Sequence, residues 1–273
     1  TLSGTNTYSG GTTLTAGTLA LGSTNAIGSS GTISFGGGTL QASASNTTDY
    51  SARFSNANIQ QYKIDTNSQN LTLSSALTSL GGSFTKLGAG TLTLTGANTF
   101  SGGILISEGT LSVGSGSTTG SIVSAVENNS ILAFNRSDAL TYTGVISGTG
   151  AVTKSGTGTL TLSGANTYTG ATTVSAGTLQ FAKAASLYNG NTTLWTAANL
   201  TVASGATAAF NVGGSNEFTS GNLDTLVALG SSTNGFQSGS VIGLDTSSGN
   251  FTYASNIANP NGGDNGRGLT KLG

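Results

Sequence analysis

One sequence motif recurs along this chain and constrains its fold more than any other feature. Residues 86–113 read KLGAGTLTLTGANTFSGGILISEGTLSV, and residues 154–181 read KSGTGTLTLSGANTYTGATTVSAGTLQF. Residues 1–21 match the later part of the motif, and residues 269–273 match its beginning. Repetition of this kind usually means that each copy forms one supersecondary unit, so the sequence predicts a repeat architecture.

The motif is composed of short strands and turns. Residues 159–163 alternate hydroxyl side chains with leucine, which is typical of a strand with one buried and one exposed face. Threonine suits the exposed face because its β-branched side chain favours extended backbone. Residues 164–167 (GANT) predict a turn, since Gly and Asn both tolerate positive φ. Residues 172–175 and 178–181 predict two further strands.

The spacing inside the motif predicts how these strands pair. Gly-Thr-Leu occurs at residues 90–92 and again at 109–111, an offset of 19, and the same offset separates residues 158–160 from 177–179. With only turns and one other strand between, this interval leaves little room for a crossover helix. Successive parallel strands would then stack about 4.8 Å apart, each coil burying its leucines against the next. We therefore predict an all-β parallel β-helix, or solenoid.

The motif also indicates which side chains form the repeating structure. We predict inward-facing leucine and aromatic side chains together with a turn asparagine that is followed two residues later by an aromatic ring. An alternative is that the aromatic rings form an exposed row that grips a glycan, but the copies lie several coils apart, which favours asparagines that satisfy turn backbone groups and rings that pack inward. The predicted structural residues are Leu92, Leu94, Asn98, Phe100, Leu111, Leu160, Leu162, Asn166, Tyr168, Leu179 and Phe181.

Outside the motif the strand pattern is looser. Short apolar runs predict further strands, among them residues 52–54 and 251–253. A single short helix is predicted over residues 223–229, with Asn222 as its N-cap and Gly230 as its terminator. No linker divides the chain, so we expect one continuous solenoid segment over residues 1–273, with blocks at about 1–80, 81–150 and 151–273. Because the chain begins and ends within the motif, we expect it to be a window from a longer repeat protein.

The composition excludes several classes of function. Charged residues make up 6% of the chain and the net charge is −1, which leaves no basic field for nucleic acid. The chain has no Cys and no His, which excludes Ser-His-Asp and Cys-His catalysis and His/Cys metal sites. No apolar run approaches the roughly 20 residues that span a bilayer, so we expect a chain that does not cross a membrane. We predict no cofactor.

A few charged residues offer alternatives that need a structural test. Some β-helices cut polysaccharides with two nearby carboxylates, and the pairs Asp49/Asp65 and Glu108/Glu127 have spacings that could bring them together on neighbouring coils. Isolated, solvated carboxylates are the expected interpretation. Residues 259–266 (NPNGGDNG) resemble one calcium-binding nonapeptide, with Asp264 as the acid, although a plain loop is favoured. We also expect Arg53, Lys63 and Asp65 to form a surface salt-bridge cluster.

The pattern K-x-G-x-G-T-L-T-L-[ST]-G-x-N-T-[FY], continuing to G-T-L, resembles the passenger-associated transport repeat, also called the autotransporter-associated β-strand repeat. Residues 86–113 and 154–181 fit it closely, and residues 1–21 fit its later part. The resemblance implies a right-handed parallel β-helix on the outside of a Gram-negative cell, secreted through the outer membrane. Such passengers often serve as adhesins or surface structures.

These observations lead to three functional hypotheses. The first is a structural stalk or fibre module whose partners are the adjacent repeats of the same long chain. The second is an adhesin surface that binds glycan or self-associates between cells. The third and weakest is a polysaccharide-degrading enzyme. We expect a non-enzymatic protein.

Overall fold

The motif forms short strands that stack in parallel, as its spacing predicts. In the computed structural model, which describes residues 1–230, 233–259 and 266–273, the chain divides into two compact units. The first unit comprises Thr1–Ser115 and Thr119–Leu132, and the second comprises Gly116–Thr118 and Ala133–Gly273. Both are built almost wholly from strands and turns, which confirms the predicted fold class of a parallel β-solenoid.

Eleven strands lie within the first unit. They are β1 (Thr12–Leu14), β2 (Thr18–Ala20), β3 (Ile33–Phe35), β4 (Thr39–Gln41), β5 (Gln61–Asp65), β6 (Leu71–Leu73), β7 (Ser83–Leu87), β8 (Thr91–Leu94), β9 (Ile104–Ile106), β10 (Thr110–Val113) and β11 (Val126–Asn128). Strand β12 (Ile131–Phe134) contains the sequence boundary between the two units. Strands β2, β4, β5, β7, β9 and β11 form one sheet in that order, β6, β8 and β10 form another, and β1 pairs with β3.

The register of these strands matches the sequence spacing. Thr91 pairs with Thr110 and Leu92 with Leu111 in parallel strands β8 and β10, which is the offset of 19 residues that the Gly-Thr-Leu repeats have. Equivalent residues therefore stack on equivalent residues, and alternate side chains point to the same face on successive coils. Each coil buries its apolar face against its neighbours, so the core of a solenoid is formed by contacts between adjacent coils.

Copies of the motif within the first unit do not occupy the same face. The last strand of the copy at residues 1–21 is β2, which lies in the sheet that contains β4 and β5. The corresponding strand of the copy at residues 86–113 is β10, which lies in the other sheet, with β6 and β8. The chain between the two copies therefore does not contain a whole number of coils. As a result, the turn asparagines of the two copies, Asn6 and Asn98, lie at different corners.

The second unit contains the remaining strands and longer excursions between them. They are β13 (Leu140–Tyr142), β14 (Ile146–Ser147), β15 (Ala151–Lys154), β16 (Thr159–Leu162), β17 (Thr172–Val174), β18 (Thr178–Phe181), β19 (Leu200–Val202), β20 (Thr207–Asn211), β21 (Val241–Asp245) and β22 (Gly268–Leu272). Strands β13, β16, β18, β20, β21 and β22 are consecutive neighbours in one parallel sheet, and β15, β17 and β19 are neighbours in another. Leu160 pairs with Leu179 across β16 and β18.

One α-helix is present in the described part of the chain, close to its predicted position. Helix α1 spans Ser220–Val227 and buries Leu223, Leu226 and Val227. The predicted N-cap was wrong by one turn, because Thr219 caps the helix and Asn222 occupies the third helical position. The Thr219 hydroxyl accepts from the Asn222 N–H at 3.2 Å, and the Asn222 side chain accepts from the Thr219 N–H at 3.0 Å. In this reciprocal capping box both residues hydrogen-bond to the helix N-terminus. Because Thr and Asn are both common N-cap residues, the sequence alone does not tell which of them is the N-cap.

Two predicted strands outside the motif were also wrong. Ser51–Arg53 form a 3₁₀ turn, because the Asp49 carboxylate accepts the Ser51 N–H at 2.8 Å and bends the chain there. Residues 251–253 form no strand. Both segments lie where a coil departs from the regular path, and a three-residue apolar run does not distinguish a strand from such an excursion.

Candidate functional site

The side chains predicted to form the repeating structure lie inside the coils. All of them have relative exposures of 1% or less, namely Leu92, Leu94, Asn98, Phe100, Leu111, Leu160, Leu162, Asn166, Tyr168, Leu179 and Phe181. The leucines occupy alternate positions of strands whose intervening threonines are partly exposed. Strands β8 and β16 therefore point their leucines inward and leave their threonines partly exposed.

Asn98 links three successive coils through one side chain. Its Oδ1 accepts the Leu77 N–H at 3.0 Å, and its Nδ2 donates to the Gly96 carbonyl at 2.9 Å and the Ser121 carbonyl at 3.1 Å. An amide is suited to this position because it offers an acceptor and two donors at once. This side chain pairs with backbone groups that the tight turn cannot pair internally. No penalty for an unpaired buried polar group therefore arises at these groups.

Asn166 makes the equivalent contacts in the second unit. Its Oδ1 accepts the Ile146 N–H at 2.9 Å, and its Nδ2 donates to the Ser186 carbonyl at 2.8 Å. The rings that follow each asparagine, Phe100 and Tyr168, are buried, whereas Tyr8 of the first copy is 39% exposed. The two buried rings present no face to a glycan, so the exposed aromatic row weighed above is wrong for them.

Sequence reasoning missed a second element of the site, the buried lysine. Lys86 has no exposed surface, and its Nζ donates to Thr66 Oγ1 at 3.0 Å and to the carbonyls of Leu87 (2.9 Å), Gly88 (2.6 Å) and Glu108 (3.1 Å). We call this set of oxygen acceptors around a lysine the lysine cradle. Burial lowers the pKa of Lys86 from 10.5 to about 8, while the carboxylates of Asp65 and Glu108 act in the opposite direction.

The second full copy of the motif repeats the cradle, and the partial copy does not. Lys154 is 1% exposed, and its Nζ donates to the Gly156 carbonyl and to the Ala176 carbonyl at 3.2 Å. Burial lowers the pKa of Lys154 from 10.5 to about 8. Lys271, at the same motif position, is exposed and donates to the Gly273 carbonyl.

The alternation of side chains along the strands could have predicted that these lysines point inward. Phe84 and Lys86 stand two residues apart, as do Val152 and Lys154, so period 2 places each lysine on the inward face. Lysine is almost never fully buried, and that expectation outweighed the pattern. The cradle resolves the conflict, because carbonyl oxygens replace the lost water around the ammonium.

A further buried polar network in the second unit also escaped sequence reasoning. The hydroxyls of Tyr168 and Thr172 lie 2.6 Å apart, and those of Thr172 and Tyr188 lie 3.0 Å apart. Tyr188 donates onward to the Asn199 carbonyl at 2.5 Å. Burial raises the pKa of both tyrosines, to about 12 for Tyr188. The network has no sequence signature because its members come from different turns.

The strand register does not set Glu127 opposite Glu108, and Asp49 and Asp65 bond to different groups. Glu127 in β11 pairs with Leu105 in β9, and Glu108 lies in the turn after that strand. Asp49 accepts hydrogen bonds from the backbone N–H groups of Ser51 and Ser74, and Asp65 accepts one from Gln41 Nε2. Asp49 and Asp65 therefore accept hydrogen bonds from different segments of the first unit. Across residues 1–230, 233–259 and 266–273, no three His, Cys, Asp or Glu side chains gather into a metal site.

The predicted salt-bridge cluster was wrong. Arg53 donates to the carbonyls of Gly28, Ser30 and Gly31, and Lys63 donates to the carbonyl of Gly37 at 3.0 Å. Backbone carbonyls at the corners supply acceptors close to each cation, so no carboxylate is required. Asp264, the acid of the calcium alternative, lies outside the described residues. Within the described residues, no helix has the length and apolar character to cross a membrane.

Together these features define the class of protein. It is a repeat solenoid in which the leucine, aromatic, asparagine and lysine side chains of the motif pack and form hydrogen bonds between coils. The family profile described as passenger-associated transport repeat matches residues 1–21, 84–113 and 152–181. The resemblance predicted from the sequence is therefore confirmed for these three segments, which match the passenger-associated transport repeat.

One curated relative adds to this assignment. The chain is 64% identical over 78 residues to the protein named "Adhesin BmaC autotransporter" from Brucella suis biovar 1 (strain 1330). That match covers 29% of this chain and 2% of the relative, so the chain spans only a small fraction of the relative's length. No solved structure gives a significant match.

Proposed function

We propose that this chain is a structural solenoid module of a bacterial surface protein, in which stacked coils set the reach of a longer passenger. The observation that carries the proposal is the inward placement of the motif's characteristic groups. Each of four buried side chains makes at least one hydrogen bond to a neighbouring coil, namely Asn98, Asn166, Lys86 and Lys154. A motif that is repeated for stacking fits a protein whose function is its length and stiffness.

An adhesive surface is the second candidate, and one observation favours it. Thr159, Thr178 and Thr207 stand in register on β16, β18 and β20, with their side chains partly exposed. A column of hydroxyls at the strand spacing of about 4.8 Å offers donors and acceptors at regular intervals to an uncharged chain such as a glycan. The relative is named an adhesin, which supports this candidate.

We further propose that the chain has no enzymatic activity and that it functions outside a Gram-negative cell after export across the outer membrane. The naming of the relative as an autotransporter supports the location. The strand register, which sets Glu127 opposite Leu105 and not opposite Glu108, supports the absence of glycosidase chemistry, since that chemistry needs a matched pair of carboxylates. Adjacent repeats of a longer chain would be the partners of the module, which we propose to be one continuous segment.

A binding experiment with an activity readout tests these candidates together. The 273-residue chain is incubated with a panel of insoluble polysaccharides, and the bound fraction and newly released reducing ends are measured in the same tubes. The stalk proposal predicts neither retention nor cleavage. Retention without cleavage favours the adhesive surface, and it should be lost when Thr159, Thr178 and Thr207 are all replaced by alanine. Release of reducing ends would overturn the non-enzymatic proposal.

A further inference from the structure

Strand β22 has the same register on the coil beneath it as strand β7, which carries the first lysine cradle. Lys86 in β7 is aligned with Ile64 of the preceding coil, and Lys271 in β22 is aligned with Leu244. Both pairs of strands are parallel, so the residues on either side of each lysine are aligned in the same way. Lys271 therefore occupies the position of a cradle lysine in the structure as well as in the sequence.

The coil beneath each of these lysines carries the same turn. Residues 65–70 read DTNSQN and residues 245–250 read DTSSGN. In each segment the aspartate Oδ1 accepts the N–H two residues later, at 2.8 and 2.9 Å, and the threonine N–H donates at 3.0 Å to the carbonyl of the residue after the lysine. Glycine follows two residues after each lysine, with a φ of 77° in both cases. The backbone that surrounds Lys271 from below thus has the geometry of a completed cradle.

The two strands differ in what lies above them. Strand β7 stands between β5 and β9, whereas β22 stands at the end of its sheet in the part of the chain that the structure describes. As a result, Phe84 and Lys86 on the inward face of β7 are 1% and 0% exposed, while Leu269 is 56% exposed and Lys271 is exposed. An open cleft of about 450 Å³ lies against Leu269 and Lys271. An uncovered strand edge of this kind is a template for pairing with a further strand.

The completed cradles show which group the covering coil supplies. Lys86 Nζ donates to the Glu108 carbonyl at 3.1 Å and Lys154 Nζ to the Ala176 carbonyl at 3.2 Å, in both cases 22 residues further along the chain. The side chains of these two acceptor residues differ, so register rather than residue type places the acceptor. Lys271 already makes the other bond that all three lysines share, to the carbonyl two residues later. An ammonium has three donors, which leaves capacity for the carbonyl of a covering coil.

We propose that β22 and Lys271 form a docking edge for an adjacent repeat of a longer passenger, which adds a parallel strand and offers a backbone carbonyl to the Lys271 ammonium. The occupant carries the second half of the motif, because residues 104–113 and 172–181 begin with the strands that pair with β7 and β15. An added strand satisfies the edge of β22, covers Leu269 and completes the cradle at once. The inference rests on the proposed function only in taking adjacent repeats as partners.

Acetylation of Lys271, followed by mass spectrometry, tests the docking edge. The 273-residue chain is compared with a variant that is extended at Gly273 by the sequence of residues 89–113. The extension should lower the acetylation rate of Lys271 by about tenfold or more, because a buried and bonded ammonium reacts only when its coil opens. An extension with the sequence of residues 157–181 should do the same, since that segment completes the second cradle. Lys183, which is partly exposed in the same unit, is the internal reference.

A control extension separates docking from added length. It carries Ile104→Asp and Ile106→Asp within the added sequence of residues 89–113, which places carboxylates on the inward face of the strand that would cover β22. This control should leave the acetylation of Lys271 at the rate of the unextended chain.

Three outcomes would overturn the proposal. Acetylation of Lys271 that is unchanged in both matched extensions would show that the edge receives no coil. Equal protection by the control extension would show that the register of the motif is not what docks. Protection that grows with the concentration of the unextended chain would assign the edge to a second copy. The stalk and adhesive proposals are judged on the unextended chain in the polysaccharide assay, so the failure of one proposal is distinguishable from the failure of the other.

Discussion

The stability of the second unit should rise with pH in the range where Lys154 loses its proton in the folded state. Burial lowers the pKa of this lysine from 10.5 to about 8. Between these values the unfolded chain binds a proton that the folded chain has released. Because stability rises with pH wherever the unfolded state binds more protons, the free energy of unfolding should increase from about pH 8 upward.

The size of the effect follows from the two pKa values. At 1.36 kcal/mol per pH unit, the difference between 10.5 and about 8 amounts to at most about 3 kcal/mol. The hydrogen bonds from Nζ to the carbonyls of Gly156 and Ala176 favour the charged form and reduce this value. Tyrosines limit the window from above. The folded pKa of Tyr188 is raised from 10.0 to about 12, so its stabilising contribution is present below pH 10 and is lost as the pH rises further.

Urea unfolding at pH 7.5, 8.5 and 9.5 tests the prediction. The fluorescence of Trp195 reports on the correct unit, because it is the only tryptophan in the sequence and is 2% exposed there. We expect the free energy of unfolding to rise by about 1–2 kcal/mol over this range. Lys154→Met should remove the pH dependence, whereas Lys271→Met should keep it, because Lys271 occupies the same motif position but is exposed.

A flat or falling profile would refute the reasoning. It would mean that the carbonyl oxygens of the cradle compensate fully for the lost hydration of the ammonium. The lysine would then be a charged clamp between coils throughout the accessible pH range.

Three further predictions concern the stacking itself. Leu160→Asp should unfold the coils around β16 and lower the far-UV circular dichroism of the chain, because it places an unpaired carboxylate at a position that is 1% exposed; a folded variant would contradict the core position. Asn98→Ala should cost about 2–4 kcal/mol in chemical unfolding, because it leaves the Leu77 N–H and two carbonyls without this partner, whereas replacing exposed Asn129 should cost little. Gly109→Ala should destabilise the first unit by more than the ~1 kcal/mol expected for backbone strain, since the new Cβ would collide with the carbonyls of Gly88 and Gly90. Gly17→Ala is its control, because Gly17 has a similar φ of +68° and nothing within 4 Å, and equal thermal midpoints for the two variants would refute the steric argument.

Much of the fold was predictable because the motif is periodic on two scales. Alternation identified the inward position of Leu160 and Leu162, and the 19-residue offset identified their stacking partners, including Leu179. Both scales are local properties of the chain, so they can be read without knowing the tertiary structure. The outliers were segments such as Ser51–Arg53, where a side-chain hydrogen bond rather than periodicity sets the backbone.

The candidate site shows where sequence reasoning ends. Asn166 could be recognised as a turn residue, but its contacts with Ile146 and Ser186 come from coils on either side. The same holds for Ile59 and Leu80, which become neighbours only when their coils stack.

The sequence by itself therefore determined the strand pattern, the solenoid class and the inward face of each strand, because alternation and repeat spacing are local. The tertiary structure alone decided that Lys86 and Lys154 are buried, which acceptors hold them and which turns share a corner. The physical reason is that the acceptors for each ammonium include backbone carbonyls of the following coil, some 22 residues away along the chain. Every residue has a carbonyl group, so no residue type marks these acceptors in the sequence, and only stacking brings them to the lysine.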